Sequence, residues 1–134
     1  MIQLIVGHKG SGKTKTMIGM INEAINNAKG NIVCIEKKMK LTYDIKHSVR
    51  LIDVDEYAIA GYEMFYGFVA GVLAGNYDIE EVYIDGALKI GEGDIDGLSV
   101  LLERFKNLSN GSVKFIVTVS ADMEELPDGI KKYL

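Results

Sequence analysis

The sequence predicts an α/β fold: a five-stranded, mainly parallel sheet between two helical layers, three layers in all. Three observations carry that prediction. Apolar runs of strand length alternate with helical patterns along the whole chain. The runs are rich in valine and isoleucine and mostly apolar on both faces, as strands covered from above and below must be. With 134 residues, 48% of them hydrophobic and 25% charged, the chain has the size and composition of one domain spanning 1–134.

The first strand is read at residues 2–6 (IQLIV). A helix over about 13–29 follows, with Met17, Ile21, Ala24 and Ala28 on one face and Gly30 as a left-handed stop. Residues 31–36 (NIVCIE) form the second strand and 49–53 (VRLID) the third, where Arg50 points to a position near the sheet edge. A second helix is expected over about 56–75. Residues 57–75 (YAIAGYEMFYGFVAGVLAG) are apolar enough to suggest a membrane span, with Gly67, Gly71 and Gly75 spaced four apart. Glu63 interrupts that run and the fourth strand, 81–85 (EVYID), follows closely. The expectation is therefore a crossover helix buried on the sheet, its glycines permitting close approach, and no membrane span. A face for a protein partner or a homo-oligomer through the 57–75 helix is the alternative reading. The third long helix, about 95–109, places Ile95, Leu98, Leu102, Phe105 and Leu108 at helical spacing, with Asp94 as its cap and Asn110-Gly111 as the turn beyond. A fifth strand at 113–119 and a short helix over about 123–133 complete the series, joined by right-handed crossovers.

Between the first strand and the first helix lies Gly7-His8-Lys9-Gly10-Ser11-Gly12-Lys13-Thr14, which fits G-x-x-x-x-G-K-[ST] without a gap. The context is that of a phosphate cradle: an apolar strand feeds the loop and an amphipathic helix leaves it. Gly7, Gly10 and Gly12 let backbone N–H groups turn inward onto phosphate oxygens, and the positive end of the helix faces the same oxygens. In these residues the chain resembles P-loop nucleoside-triphosphate-binding proteins, with the loop as their Walker A motif. The resemblance implies ATP and Mg²⁺ as ligands. It puts Gly7, His8, Lys9, Gly10, Ser11, Gly12, Lys13, Thr14 and Lys15 around the nucleotide. Lys13 would act on the β- and γ-phosphates and Thr14 would ligate the metal. His8 and Lys9 stand at variable positions of the loop, and His8 has no catalytic role assigned.

A Walker B aspartate closes an apolar strand and holds the metal through water. Asp85, ending VYID, and Asp53, ending VRLID, both qualify. Asp85 is preferred because its strand is free of internal charge and reads as central. With Asp85 the chain resembles the RecA-like core, whose sheet order is 3-2-4-5-1. With Asp53 it would resemble the kinase-like order 2-3-1-4-5. No N-K-x-D guanine-reading sequence occurs, and Arg50 and Arg104 are the only arginines, too few for an Arg-rich lid. Both facts favour ATP on a RecA-like frame.

Related proteins often carry a glutamate directly after the Walker B aspartate, where this chain has Gly86. A RecA-like arrangement offers Glu36, at the end of the second strand, as a catalytic base; the plainer reading is a surface carboxylate beside Lys37 and Lys38. Glu92, in a Gly-rich acidic connector, is a poorer option. Thr118 or Ser120 would hydrogen-bond the γ-phosphate or merely cap the next helix. Arg104 would serve a neighbouring copy or lie in solvent. The formal net charge of −4 argues against nucleic acid as a partner, although 37–47 (KKMKLTYDIKH, with Tyr43) is locally basic. The lone Cys34 and the lack of a basic leader in MIQLIVG point to the cytoplasm. The expected activity is a slow ATPase or ATP-dependent switch working with a partner or as an oligomer. The alternatives are a non-hydrolysing regulatory module and a small-molecule kinase of the nucleoside type. The type II thymidine kinases are similar in their opening strand and loop, but the structural zinc cysteines of that group are missing here.

Overall fold

The computed structural model describes residues 1–38 and 44–134. Five strands, β1 (Ile2–Gly7), β2 (Asn31–Glu36), β3 (Arg50–Asp53), β4 (Ile79–Ile84) and β5 (Lys114–Ser120), form one parallel sheet ordered β1-β5-β4-β2-β3. Counted from the β3 edge this is 3-2-4-5-1, the order expected with Asp85, and not the kinase-like 2-3-1-4-5. β5 separates β1 from β4, and β3 is an edge strand whose Arg50 is exposed.

Strand alternation divides the core into two unequal layers. Leu4, Val33, Ile35, Ile52, Ile84 and Val117 face the thicker one. That layer is built by α2 (Tyr62–Ala74), α3 (Ala87–Ile90), α4 (Ile95–Asn107) and α5 (Asp128–Lys131). Phe105 of α4 stacks on Phe115 of β5 with ring centroids 5.0 Å apart and meets Phe65 of α2 edge-on at 5.8 Å, so three elements lock on one ring. Ile32, Cys34, Tyr83 and Ile116 face the other layer, where α1 (Lys13–Asn27) buries Met17 and Ile21 completely, and Ile45 and Val49 pack alongside. At the C-terminal ends of the strands, the residues in phase with this second set are Glu36, Asp53 and Thr118, with Asp85 one residue beyond β4.

Several boundaries differ from the sequence expectation, each for a local reason. The helix expected from residue 56 starts at Tyr62, because Val54–Tyr57 is a single 3-10 turn and Ala58 (φ 54°) and Gly61 (φ 79°) are left-handed. The glycines of α2 do not approach the sheet. Phe65, Val69 and Leu73 make that contact, whereas Gly67 and Gly71 face outward with open space where a Cβ would stand. α1 ends at Asn27 through an extended Ala28, so Gly30 is no left-handed cap; a side chain there would strike the Asp78 carbonyl instead. Asp94 does cap α4, accepting from the Gly97 N–H at 2.9 Å, but the helix stops at Asn107. Pro127 divides the last expected helix into a turn at Met123–Glu125 and the short α5. α3 was not anticipated. Among the described residues no helix is long and apolar enough to cross a membrane. Residues 39–43, which include Tyr43 of the basic stretch, lie outside the described residues.

The C-terminal tail is tied down by one carboxylate. The Tyr133 hydroxyl donates to Glu103 Oε2 at 2.7 Å and Lys132 donates to the same atom at 3.2 Å. Those two donors, Tyr133 first, hold the Glu103 carboxyl below its ordinary value of 4.5. A depressed carboxylate stabilises the fold at pH above its unfolded value and loses that contribution as pH falls through the folded one. Glu103→Gln should therefore lower the urea midpoint at neutral pH, and the gap to the wild type should close as pH drops below 4.5.

Candidate functional site at the carboxyl edge of the sheet

The loop between β1 and α1 folds as a tight turn, with the Ser11 N–H donating to the His8 carbonyl at 3.1 Å. Gly10 (φ 87°) and Gly12 (φ 90°) occupy left-handed conformations that L side chains rarely adopt. At Gly7 the issue is space rather than angle: a Cβ there would press on the Ser11 side chain, whose hydroxyl would have to turn away. Lys13 lies back over the loop, its Nζ donating to the His8 carbonyl at 3.3 Å. His8, Lys9, Ser11 and Lys15 are exposed, and His8 Nδ1 sits 3.5 Å from Asp122 in the turn after β5.

The start of α1 is electrostatically unfinished. Its N-cap is Gly12, which offers no side-chain acceptor, and no acidic residue stands in the first turn. Lys13 and Lys15 occupy that turn instead, placing cations at the positive end of the helix dipole. α4 provides the contrast, with Asp94 as cap and Asp96 in its first turn. An anion seated in the loop would satisfy the free N–H groups and the lysines together.

Across the loop stands Asp85. Thr14 Oγ1 donates to Asp85 Oδ1 at 3.2 Å, and Thr118 Oγ1 donates to the same oxygen at 2.7 Å. Thr118 is buried and also accepts from the Gly86 N–H at 2.8 Å. Its hydroxyl is thus committed to the Asp85–Gly86 turn and is not aimed at the loop. The Asp85 N–H in turn donates to the Ile35 carbonyl on β2. Gly86 has φ 80°, a conformation L side chains rarely adopt, so the turn itself demands glycine directly after Asp85.

Asp53, the other candidate, is differently employed. Its Oδ1 accepts from the Lys38 N–H at 2.8 Å and the Asp55 N–H at 2.9 Å, so it organises its own turn at the sheet edge. Glu36 is buried rather than a surface carboxylate, 2% exposed, between Asp53 on β3 and the Asp85 turn on β4. Arg104 has partners within its own chain. It stacks over Tyr66 at 3.7 Å and pairs with Glu63 at 2.8 Å. Ser120 lies in register with Gly7, and the Ala121 N–H donates to the Gly7 carbonyl at 3.2 Å. Both belong to the wall of a cavity of about 650 Å³ that Lys38, Lys89 and Glu92 also line.

Sequence reasoning left open what Thr118 does and did not foresee that Gly86 and α3 shape the Asp85 turn; the Asp-Gly pair after an apolar strand was the available signal. Thr14 and Asp85 form an oxygen set of the kind that Mg²⁺ takes, with one carboxylate, one hydroxyl and the rest left to phosphate and water. Among the described residues no cluster of three or more His, Cys, Asp or Glu could hold a metal on protein ligands alone. Thr118→Val should cost about 1.5–3 kcal/mol in chemical denaturation, because it removes a buried hydrogen bond to a charged group and leaves the Gly86 N–H without its acceptor. A scan against protein-family models and a search of curated proteins each found no match to this chain, so the geometry described above carries the functional argument.

Proposed function

We propose that this chain is a P-loop nucleotide-binding protein that takes ATP with Mg²⁺ and acts as a slow ATPase or ATP-dependent switch. The observation that carries the reading is the Thr14–Asp85 contact across β5, set against a glycine loop and an uncapped helix bearing two lysines. The N–H groups from Gly10 to Thr14 would surround the β-phosphate, and Lys13 would turn from the His8 carbonyl onto the β- and γ-phosphates. Thr14 would ligate the metal directly and Asp85 through water, which requires their mutual hydrogen bond to give way. Mg²⁺ held by Thr14 and, through water, Asp85 would supply charge neutralisation of the phosphates.

Glu36 would be the group to receive a proton. It is buried on the α1 face at the tip of β2, the strand beside β4. In hydrolysis, water would attack the γ-phosphorus, the bond to the β-phosphate oxygen would break, and Glu36 would take the water proton, leaving ADP and phosphate. Both arginines are occupied elsewhere or remote: Arg104 with Glu63 and Tyr66, Arg50 on the far edge strand. Loss of an arginine finger typically costs about 10³–10⁵ in rate, which is the basis for expecting slow turnover.

A second reading, phosphoryl transfer to a small acceptor, draws on the 650 Å³ cavity, whose wall at Ser120 and Ala121 adjoins Gly7. Its lining mixes Lys37, Lys38 and Lys89 with Glu92 and Glu125.

Calorimetric titration with Mg·ATP is the decisive measurement. Wild type should bind, and Lys13→Ala should bind about ten- to a hundredfold more weakly, the worth of one charge-assisted hydrogen bond. Glu36→Gln should retain binding while phosphate release falls by about 10²–10⁴. Product formed only on adding an acceptor would select the kinase reading, and uptake of neither ATP nor GTP in millimolar magnesium would sink both.

A further inference from the structure

A cavity of about 860 Å³ lies away from the phosphate loop, along the edge of β3. Among the described residues β3 pairs with β2 alone, so no described strand takes up the main-chain groups on its other side. One wall of the groove comes from α2, where Phe68 and Val72 are half-buried and Gly71 and Gly75 face it without side chains. Tyr57, 48% exposed, extends that wall by packing on Phe68 with centroids 5.6 Å apart. The opposite wall is the segment from Ile45 to Val49.

The charge of this groove opposes that of the whole chain. Lys46, His47 and Arg50 line it, all exposed, and none of its described lining residues is acidic, although the chain carries a net charge of −4. Arg50 Nη1 donates to the Leu51 carbonyl at 3.3 Å, so its guanidinium covers an acceptor of its own strand. A carboxylate on an incoming chain would draw that guanidinium away.

We propose that this groove receives an extended segment of a partner protein, apolar in its middle and acidic at its flanks, which adds to the sheet as a sixth strand beside β3. Main-chain bonding to β3 supplies affinity, Tyr57, Phe68 and Val72 take alternate apolar side chains, and the bare helix surface at Gly71 and Gly75 leaves room for the new strand. A second copy of this chain is disfavoured as the occupant, because pairing β3 with its own equivalent would bring Lys46, His47 and Arg50 of both copies together. Nucleic acid is disfavoured because it offers no repeating ladder to an open strand edge. The proposal is independent of nucleotide binding.

The test uses the full chain and a fluorescein-labelled blocked peptide of alternating valine and threonine with glutamates at both ends. Its controls are the same peptide ended by lysines and a single-stranded oligothymidylate. Anisotropy should saturate with the acidic peptide, weaken with salt, and show no saturation with either control. Amide exchange at Arg50–Asp53 should slow in the complex. Gly71→Gln, placed where a Cβ meets nothing within 4 Å, keeps the fold and should weaken binding about tenfold. The double variant Lys46→Glu with Arg50→Glu should reverse the preference toward the lysine-ended peptide. Failure of the acidic peptide at millimolar concentration, equal affinity for the lysine-ended one, or saturable oligothymidylate binding lost in the double variant overturns the proposal. Self-association of the wild type that Gly71→Gln abolishes overturns it as well, in favour of a second copy.

Discussion

The bond from Thr14 to Asp85 is the contact on which the arrangement of this molecule turns. It joins the first residues of α1 to the end of β4, and β5 lies between β4 and the strand that feeds α1. The same carboxylate is fixed from the opposite side by Thr118, itself on that intervening strand. The start of α1 and strand β5 thus both donate to one oxygen of the residue that follows β4. A hydrogen bond to a carboxylate in partly buried surroundings is worth more than an ordinary one, and it leaves Asp85 little freedom to rotate. Whatever binds at the loop meets a carboxylate whose direction is already set.

The uncapped helix start complements this rigidity. Proteins ordinarily satisfy the first N–H groups of a helix with a side-chain oxygen and favour acids nearby, as α4 does with Asp94 and Asp96. α1 does neither, and it places Lys13 and Lys15 where the dipole is least hospitable to them. In isolation that arrangement destabilises the helix by some tenths of a kcal/mol per charge. An anion held at that helix start would offset the cost.

Much of the fold could be read from the sequence because parallel strands buried on both faces announce themselves as unbroken apolar runs. The runs around Ile35, Ile84 and Val117 were each placed within two residues of their strands. The sheet order is the one that resemblance to the RecA-like core implies once Asp85, on a strand free of internal charge, is preferred to Asp53, on a strand carrying Arg50. What escaped was local. Hydrophobic periodicity runs straight through Ala58 and Gly61, so nothing in the pattern of 56–75 marks the left-handed pair that delays α2 to Tyr62. Nor does spacing reveal which way a glycine row faces. Gly67 and Gly71 turned outward because Phe65, Val69 and Leu73 bury more apolar area, and burial decides which side of a helix meets the sheet. At the site, residue types were readable but their pairings were not: Thr118 engages Asp85, Asp53 holds its own turn, and Arg104 stacks on Tyr66.

The sheet is covered unequally, and Cys34 records it. Four helices bank one face, while the other is roofed by α1 with the short stretch around Ile45 and Val49. Cys34 sits fully enclosed beneath that thin roof, its thiol pushed far up by burial and by the neighbouring Glu36 and Asp85. A thiol so protonated and so hidden reacts with an alkylating reagent only when the roof lifts. The chain thereby carries a built-in gauge of its weakest layer, and an anion clasped at the head of α1 would slow the gauge by pinning the same helix that shields it.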